Sequence, residues 1–190
     1  TAKSAGTAVI TAKTYNGKVV RCNVTVKKAP NKISLNKTSL TLGVGERYDL
    51  NSSLPKGTAA YKVLYSTSKA GVADVKSAGG LVTAKRAGTA VITAVTYNGK
   101  KVSCRITVKN APNKISLNKK SLSLNKQGKF DLNSSLPKGT ASHSVVYSSS
   151  NPKVADVKSA GGFITAKSAG TAVITAKTYN GKTAKCTVKV

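Results

Sequence analysis

Residues Thr83–Lys100 run TAKRAGTAVITAVTYNGK, and Lys101–Val108 continue as KVSCRITV. Ala90, Ile92 and Ala94 alternate with Val91, Thr93 and Val95. Beyond the break, Val102, Cys104, Ile106 and Val108 alternate with Lys101, Ser103, Arg105 and Thr107. A period of two is that of a strand with one face in an apolar interior and the other in water. The break itself is Tyr97-Asn98-Gly99-Lys100. Asn-Gly tolerates the positive backbone angles of a type I′ turn, so the two runs are predicted to form a hairpin closed by that turn.

The same stretch occurs three times at a constant offset of 82 residues. Thr1–Lys18 and Thr165–Lys182 are identical, and they differ from Thr83–Lys100 only at Arg86 and Val95. That period is too long for one turn of a solenoid and suits a small domain strung in tandem. The expected organisation is a fragment at 1–28, the last two strands of an upstream repeat, followed by complete repeats at 31–108 and 113–190. Thr1 then falls inside a unit, and the chain is expected to be a segment of a longer array. The joints Lys27–Lys32 and Lys109–Lys114 are short and each carries a proline. Such linkers restrict reorientation, which predicts an elongated, semi-rigid rod. A lone hairpin is marginal in water. The first 26 residues are therefore expected to be the remnant of a truncated domain, to borrow strands from a neighbouring molecule, or to cap the next unit. Self-association through this partial repeat follows from the second option.

Within the middle repeat, Lys32–Leu35 and Ser39–Leu42 read as a split edge strand interrupted at Asn36-Lys37. Strands are also predicted at Arg47–Leu50, Lys62–Thr67, Val72–Val75 and Leu81–Ala84, besides the closing hairpin. The loop Asn51–Ala59 carries a Pro55-Lys56-Gly57 turn signal, and Gly79-Gly80 marks a tight turn. Seven or eight short strands without helical periodicity indicate an all-β fold of tandem immunoglobulin-like β-sandwich domains. A compact β-barrel is the structural alternative.

These residues resemble the group 2 bacterial immunoglobulin-like domain. The resemblance is carried by Ile33–Lys37 with Ser39–Leu42, by Val44-Gly45-Glu46, by Tyr65–Ser68 and by Val72–Val75. It continues through Val82–Ala90, Asn98–Lys100 and Cys104, and the last repeat matches at Ile115–Leu124, Tyr147–Asn151, Val154–Val157 and Ile164–Val190. The family often has Trp where Tyr65 and Tyr147 stand, and a buried tyrosine brings a hydroxyl that needs a partner. The turn Val44-Gly45-Glu46 becomes Lys126-Gln127-Gly128, so a difference in shape between the two turns is expected. The resemblance implies an extracellular or cell-surface setting, in stalks, adhesins, phage tails or modules accessory to secreted enzymes. It does not imply catalysis.

The residues point the same way. The only histidine, His143, is replaced by Tyr61 one repeat earlier, which argues against an essential base. The five acids, Glu46, Asp49, Asp74, Asp131 and Asp156, form neither a general acid/base pair nor an oxygen-rich calcium cluster. No phosphate-cradling loop occurs, no intramolecular isopeptide bond is expected, and no cofactor is predicted. Cys22, Cys104 and Cys186 are one position seen three times, too far apart for a bridge within the chain. Each is expected to be a small buried residue, with an intermolecular crosslink or a reactive thiol as the alternative. No apolar run approaches the roughly 20 residues of a membrane span.

Thirty-two Lys and Arg give a formal net charge of +27, and only Arg21, Arg47, Arg86 and Arg105 are arginine. Lysine attracts diffusely and lacks the planar fork that reads bases, and aromatic residues are few. Sequence-specific nucleic-acid recognition is therefore not expected. Lys100, Lys101, Arg105 and Lys109 line one edge of the hairpin, and Lys182, Lys185 and Lys189 repeat the row. Such a row is either a solvated face that guards an edge strand or a site for anionic polymers such as teichoic acid and sulfated or sialylated glycans. A host surface protein or glycan is the other expected partner, met by the loop that carries Leu54 and Lys56 and recurs with Leu136 and Lys138. The leading expectation is a non-enzymatic spacer and adhesion repeat of a bacterial surface protein.

Overall fold

A computed structural model describes residues 1–141 and 145–190, so the expectation placed on His143 lies outside the described residues. Strands β1 (Gly6–Lys13) and β2 (Val19–Val26) form a two-stranded antiparallel sheet. The middle repeat supplies β3 (Ser34–Leu35), β4 (Ser39–Gly43), β5 (Arg47–Asp49), β6 (Ser52–Ser53), β7 (Leu64–Thr67), β8 (Ala73–Val75), β9 (Leu81–Ala84), β10 (Gly88–Val95) and β11 (Lys101–Lys109). The last repeat follows with β12 (Ser116–Leu117), β13 (Ser121–Ser123), β14 (Lys129–Asp131), β15 (Ser134–Ser135), β16 (Val146–Ser149), β17 (Ala155–Val157), β18 (Phe163–Ala166), β19 (Thr171–Lys177) and β20 (Thr183–Lys189). No helix occurs among the described residues, hence none long and apolar enough to cross a membrane.

In the last repeat one sheet has the order β13-β20-β19-β16 and the other β14-β18-β17, with the short pair β12-β15 beside them. The middle repeat keeps the same orders, β4-β11-β10-β7 and β5-β9-β8, with β3-β6 as its short pair. Alternation places Tyr147, Ala172, Ile174, Ala176, Cys186 and Val188 inward from one sheet, to meet Leu132 and Ile164 from the side of the other. Burying each aliphatic side chain of this size contributes about 1.5–3 kcal/mol. The small alanines let the sheets approach closely around the larger residues. The middle and last repeats thus each bury an apolar set, whereas the strands of the first hairpin are largely exposed, and the all-β sandwich expectation holds.

By contact, the chain divides into two compact units whose limits differ from the sequence period. One holds Thr1–Leu40, Tyr48–Thr83 and Thr89–Ile106; the other holds Thr41–Arg47, Ala84–Gly88 and Thr107–Val190. The turn after β4 and the stretch after β9 therefore group with the last repeat.

Four local expectations are corrected. First, the hairpin loops are not type I′ turns. Such a turn requires positive φ at both central residues, whereas in the three loops only the glycines Gly17, Gly99 and Gly181 have it, at 82°, 82° and 85°. Gly99 N–H donates to the Thr96 carbonyl, so a four-residue turn begins at buried Thr96 and is followed by a left-handed glycine. The Thr96 hydroxyl donates to Asn98 Oδ1 (2.7 Å) and accepts from Lys100 N–H (2.9 Å). Asn98 Nδ2 then donates to the Pro30 carbonyl (2.8 Å), which ties the loop to the linker proline. The asparagine is held by this network and is not needed for a positive φ. Second, the two halves of the split edge strand join different sheets, β3 with β6 and β4 with β11.

Third, the two β-turns that differ in sequence have the same shape. Glu46 N–H donates to the Gly43 carbonyl and Gly128 N–H to the Asn125 carbonyl, with left-handed Gly45 (φ 91°) and Gln127 (φ 67°) at equivalent positions. Fourth, the observed strands are shorter than predicted at Arg47–Asp49, Leu64–Thr67 and Ala73–Val75. The Gly79-Gly80 and Gly161-Gly162 turns are as expected. A side chain on Gly162 would meet the Leu132 carbonyl and the Tyr147 ring. Tyr65 and Tyr147 fill the core, and among the described residues no buried side-chain polar atom lacks a partner.

Candidate functional site

The closing strands place the predicted basic rows as their alternation dictates. Lys101, Arg105 and Lys109 project from β11 at exposed positions between buried Cys104, Ile106 and Val108. Lys185 and Lys189 do the same on β20, with Lys100 and Lys182 exposed at the hairpin loops. Residues four apart on one strand are about 13–14 Å apart along it. On β20 the intervening outward position is Thr187, and Thr175 lies opposite Lys185. Lys177 joins this face from β19, opposite Thr183, a position not singled out from sequence. The signal was present, because Lys177 continues the outward set Val173 and Thr175.

The acids are elsewhere. Asp49 and Asp74 lie on β5 and β8, and Asp131 and Asp156 on β14 and β17, all in the three-stranded sheets. Glu46 sits in the turn after β4. No strand of either four-stranded sheet carries a carboxylate. Asp156 is partly neutralised where it lies, with Lys167 Nζ at 2.8 Å. That hydrogen bond is the main reason its carboxyl is held below the usual range. Lys158 stands over the Phe163 ring at 5.6 Å on the same side of the domain. The aspartates are thus confined to the side of the three-stranded sheets, whereas cations occur on both sides.

The loop proposed as a contact surface is less prominent. Leu54 and Leu136 are half-buried, whereas Lys56 and Lys138 are exposed. Leu54 lines a shallow hollow of about 380 Å³ with Pro55, Thr58 and Tyr61. Leu136 packs against the apolar interior of its own repeat. Leu136 also lines a shallow hollow, of about 290 Å³, with Pro137 and Thr140.

A contact not anticipated from sequence occurs in the unit holding the last repeat. Tyr179, at the tip of the final hairpin, donates its hydroxyl hydrogen to the Val44 carbonyl at 3.2 Å. Gly43 lies against the same ring and against Ala141, with no room for a Cβ. Burial, and secondarily the Glu46 charge, raise the Tyr179 phenol above its ordinary pKa. The position one repeat later is Asn125, so glycine at 43 is not a fixed feature of this turn.

The cysteines divide by setting. Cys104 and Cys186 are buried, and burial pushes their thiols up, while Cys22 is exposed; all three are free. Among the described residues no group of three or more His, Cys, Asp or Glu could hold a metal ion.

Two sheets enclosing one apolar interior define an immunoglobulin-like sandwich, present here in tandem. The chain belongs to the family described as bacterial Ig-like domain (group 2), which it matches over residues 30–106 and 112–188. Among solved structures it is similar to the C-terminal 282-residue fragment of intimin in complex with the intimin-binding domain of the translocated intimin receptor. Identity is 17%, over 85% of this chain and 64% of that one, with a TM-score of 0.36. It is also similar to domains 4 and 5 of the S-layer protein SbsC (18% identity, 85% of this chain and 98% of that, TM-score 0.37). A third similarity is to Drosophila N-cadherin EC1-4 (16% identity, 99% and 58%, TM-score 0.30). The chain spans less than two thirds of the intimin fragment and 35% of SbsC domains 1–6. No curated protein matches it.

Proposed function

We propose that this chain is a non-enzymatic structural and adhesive repeat of a bacterial surface protein, acting outside the cell. Its complete repeats are 31–108 and 113–190, and 1–28 are the closing strands of another. The outer faces of the four-stranded sheets hold anionic polymers such as teichoic acid or sulfated and sialylated glycans. The observation that carries this reading is the segregation of the carboxylates: lysines and an arginine recur on β11, β19 and β20 without an acid among them, while the four aspartates occupy the opposite sheets beside further cations. A positive face without carboxylates concentrates a polyanion through many weak contacts and counterion release, without a shaped pocket. Membership of the bacterial Ig-like family supports the surface setting.

The test is retention on immobilised heparin. Replacing Lys101, Arg105, Lys185 and Lys189 by Gln is expected to lower the eluting salt clearly. Replacing Arg47, Lys76, Lys129 and Lys158, which removes the same charge from the other side, is expected to lower it less. Equal losses would mean that net charge alone is responsible and would sink the reading. Retention insensitive to salt would do so too.

A further inference from the structure

The hairpins that close the middle and last repeats carry Asn-Gly in their loops, and each asparagine is engaged at both atoms of its amide. In the last repeat the Thr178 hydroxyl donates to Asn180 Oδ1 (2.7 Å), and Asn180 Nδ2 donates to the Pro112 carbonyl (2.8 Å). Asn98 repeats the pair with Thr96 (2.7 Å) and the Pro30 carbonyl (2.8 Å). Proline has no N–H, so its carbonyl is the one backbone group it offers to a hydrogen bond. Both proline rings are fully buried. Two residues earlier the entering segment is held from its other side, where Ala141 N–H donates to the Asn110 carbonyl (3.0 Å) and Ala59 N–H to the Lys28 carbonyl (2.9 Å). Each asparagine amide thus fastens the segment that enters a repeat to the hairpin that closes it, across 68 residues of sequence.

Asn-Gly is also a dipeptide prone to losing that amide. Glycine has no Cβ to screen its backbone nitrogen, and Gly99 and Gly181 stand in open space. The Gly181 nitrogen attacks Asn180 Cγ, and the new bond closes a succinimide ring. The Cγ–Nδ2 bond breaks, and the amide leaves as ammonia with the glycine proton. Water then opens the ring at either carbonyl, which leaves aspartate or isoaspartate. Both asparagines are exposed, so water reaches them. The fold opposes the first step. The amide must leave both partners, and Gly181 N–H must leave the Thr178 carbonyl (3.0 Å).

We propose that Asn98 and Asn180 are deamidation sites whose conversion unfastens the linker proline, so that the segment entering each repeat loosens as the chain ages. An ionised carboxyl only accepts hydrogen bonds, so it meets the proline carbonyl as a second acceptor, and an attachment becomes a repulsion. Isoaspartate also adds a backbone methylene to a loop whose length is set by two bonds at 2.9 Å, Thr178 N–H to the Lys182 carbonyl and Lys182 N–H to the Thr178 hydroxyl. The hydroxyl that holds Oδ1 therefore protects the site, and the proline carbonyl is what its loss releases.

The test keeps the full chain in warm, mildly alkaline buffer, once folded and once in denaturant. Peptide mapping by mass spectrometry follows Asn98 and Asn180 and separates them from Asn16. Both sites are expected to convert in the folded chain, about fivefold or more slowly than in denaturant, because their hydrogen bonds must open first. Thr178→Val removes one of those bonds and is expected to speed Asn180 in the folded chain while Asn98 keeps its rate. In the Asn180→Asp chain, amide hydrogen exchange across residues 110–114 is expected to be faster than in the parent. Equal rates in the folded and denatured chains, a folded chain that never converts, an Asn180 rate indifferent to Thr178→Val, or unchanged exchange across 110–114 would each overturn the proposal.

Discussion

Tyr179 reaches the Val44 carbonyl across 135 residues of sequence, and the glycine beside that carbonyl is what lets it arrive. Gly43 has no positive φ, so glycine is required there for space rather than for backbone freedom. A methyl group would press on the Tyr179 ring and the Ala141 Cβ, and neither belongs to a flexible chain end. Gly43→Ala is therefore expected to destabilise the protein by about 1–3 kcal/mol. Gly71, which has open space and no positive φ, serves as the control. Gly71→Ala is expected to be neutral or to stabilise by up to about 1 kcal/mol. Denaturant midpoints for the two variants check this, and equal effects would contradict the steric account.

The same contact has a pH signature. Burial first and the Glu46 carboxylate second hold the Tyr179 phenol above its ordinary pKa. The folded state thus keeps this proton at pH values where the unfolded chain has begun to release it. Its contribution to stability is complete below the unfolded value of about 10 and is lost as pH rises through the folded value. In a spectrophotometric titration, the late step that Tyr179→Phe removes should lie above the ordinary tyrosine range. Glu46→Gln should move that late step part of the way back. If the variant titrates like the parent, the carboxylate has no influence on the ring.

How much of this was readable in advance depends on the range of the interaction. Alternation at Ala90–Val95 and Val102–Val108 specifies which side chains enter the interior, because a strand has only two faces. The basic rows followed directly. The hairpin turn did not, because the Asn98 side chain is engaged by the Thr96 hydroxyl and the Pro30 carbonyl, and the latter partner lies 68 residues away. Nor did the pairing of β3 with β6 follow, since two-residue strands leave no period to read. Tyr179 looked like one more hairpin tyrosine beside Tyr15 and Tyr97. Its distinction comes from what stands opposite, and a single repeat's sequence does not contain that.

Gln127 is the one non-glycine residue with positive φ among the described residues, at the position where the middle repeat has Gly45. A side chain in the left-handed region crowds the adjacent carbonyl at a cost of roughly 1–2 kcal/mol. Glycine removes that crowding but gives back part of it through the entropy of the unfolded chain. Gln127→Gly is therefore expected to stabilise by about 0.5–1 kcal/mol, read as a higher melting temperature. Gly45→Ala, the reverse change in the same turn, should lower it by a similar amount. A lower melting temperature for Gln127→Gly would mean that the glutamine makes contacts worth more than its strain.

The three cysteines offer the last comparison, because one sequence position appears in two settings. Cys22 is exposed on a two-stranded sheet, whereas Cys104 and Cys186 are fully buried between sheets, where loss of water raises the thiol pKa. The thiolate is the reactive form, so exposure and pKa act in the same direction. A thiol reagent at neutral pH is expected to modify Cys22 at once and the other two only after unfolding. Cys22→Ser should leave stability within about 0.5 kcal/mol of the parent. Cys104→Ser places a hydroxyl in an apolar interior and should cost about 1–3 kcal/mol. Mass spectrometry of the labelled native chain decides the first point. Two or three rapid modifications would mean that the sandwiches open far more readily than their packing implies.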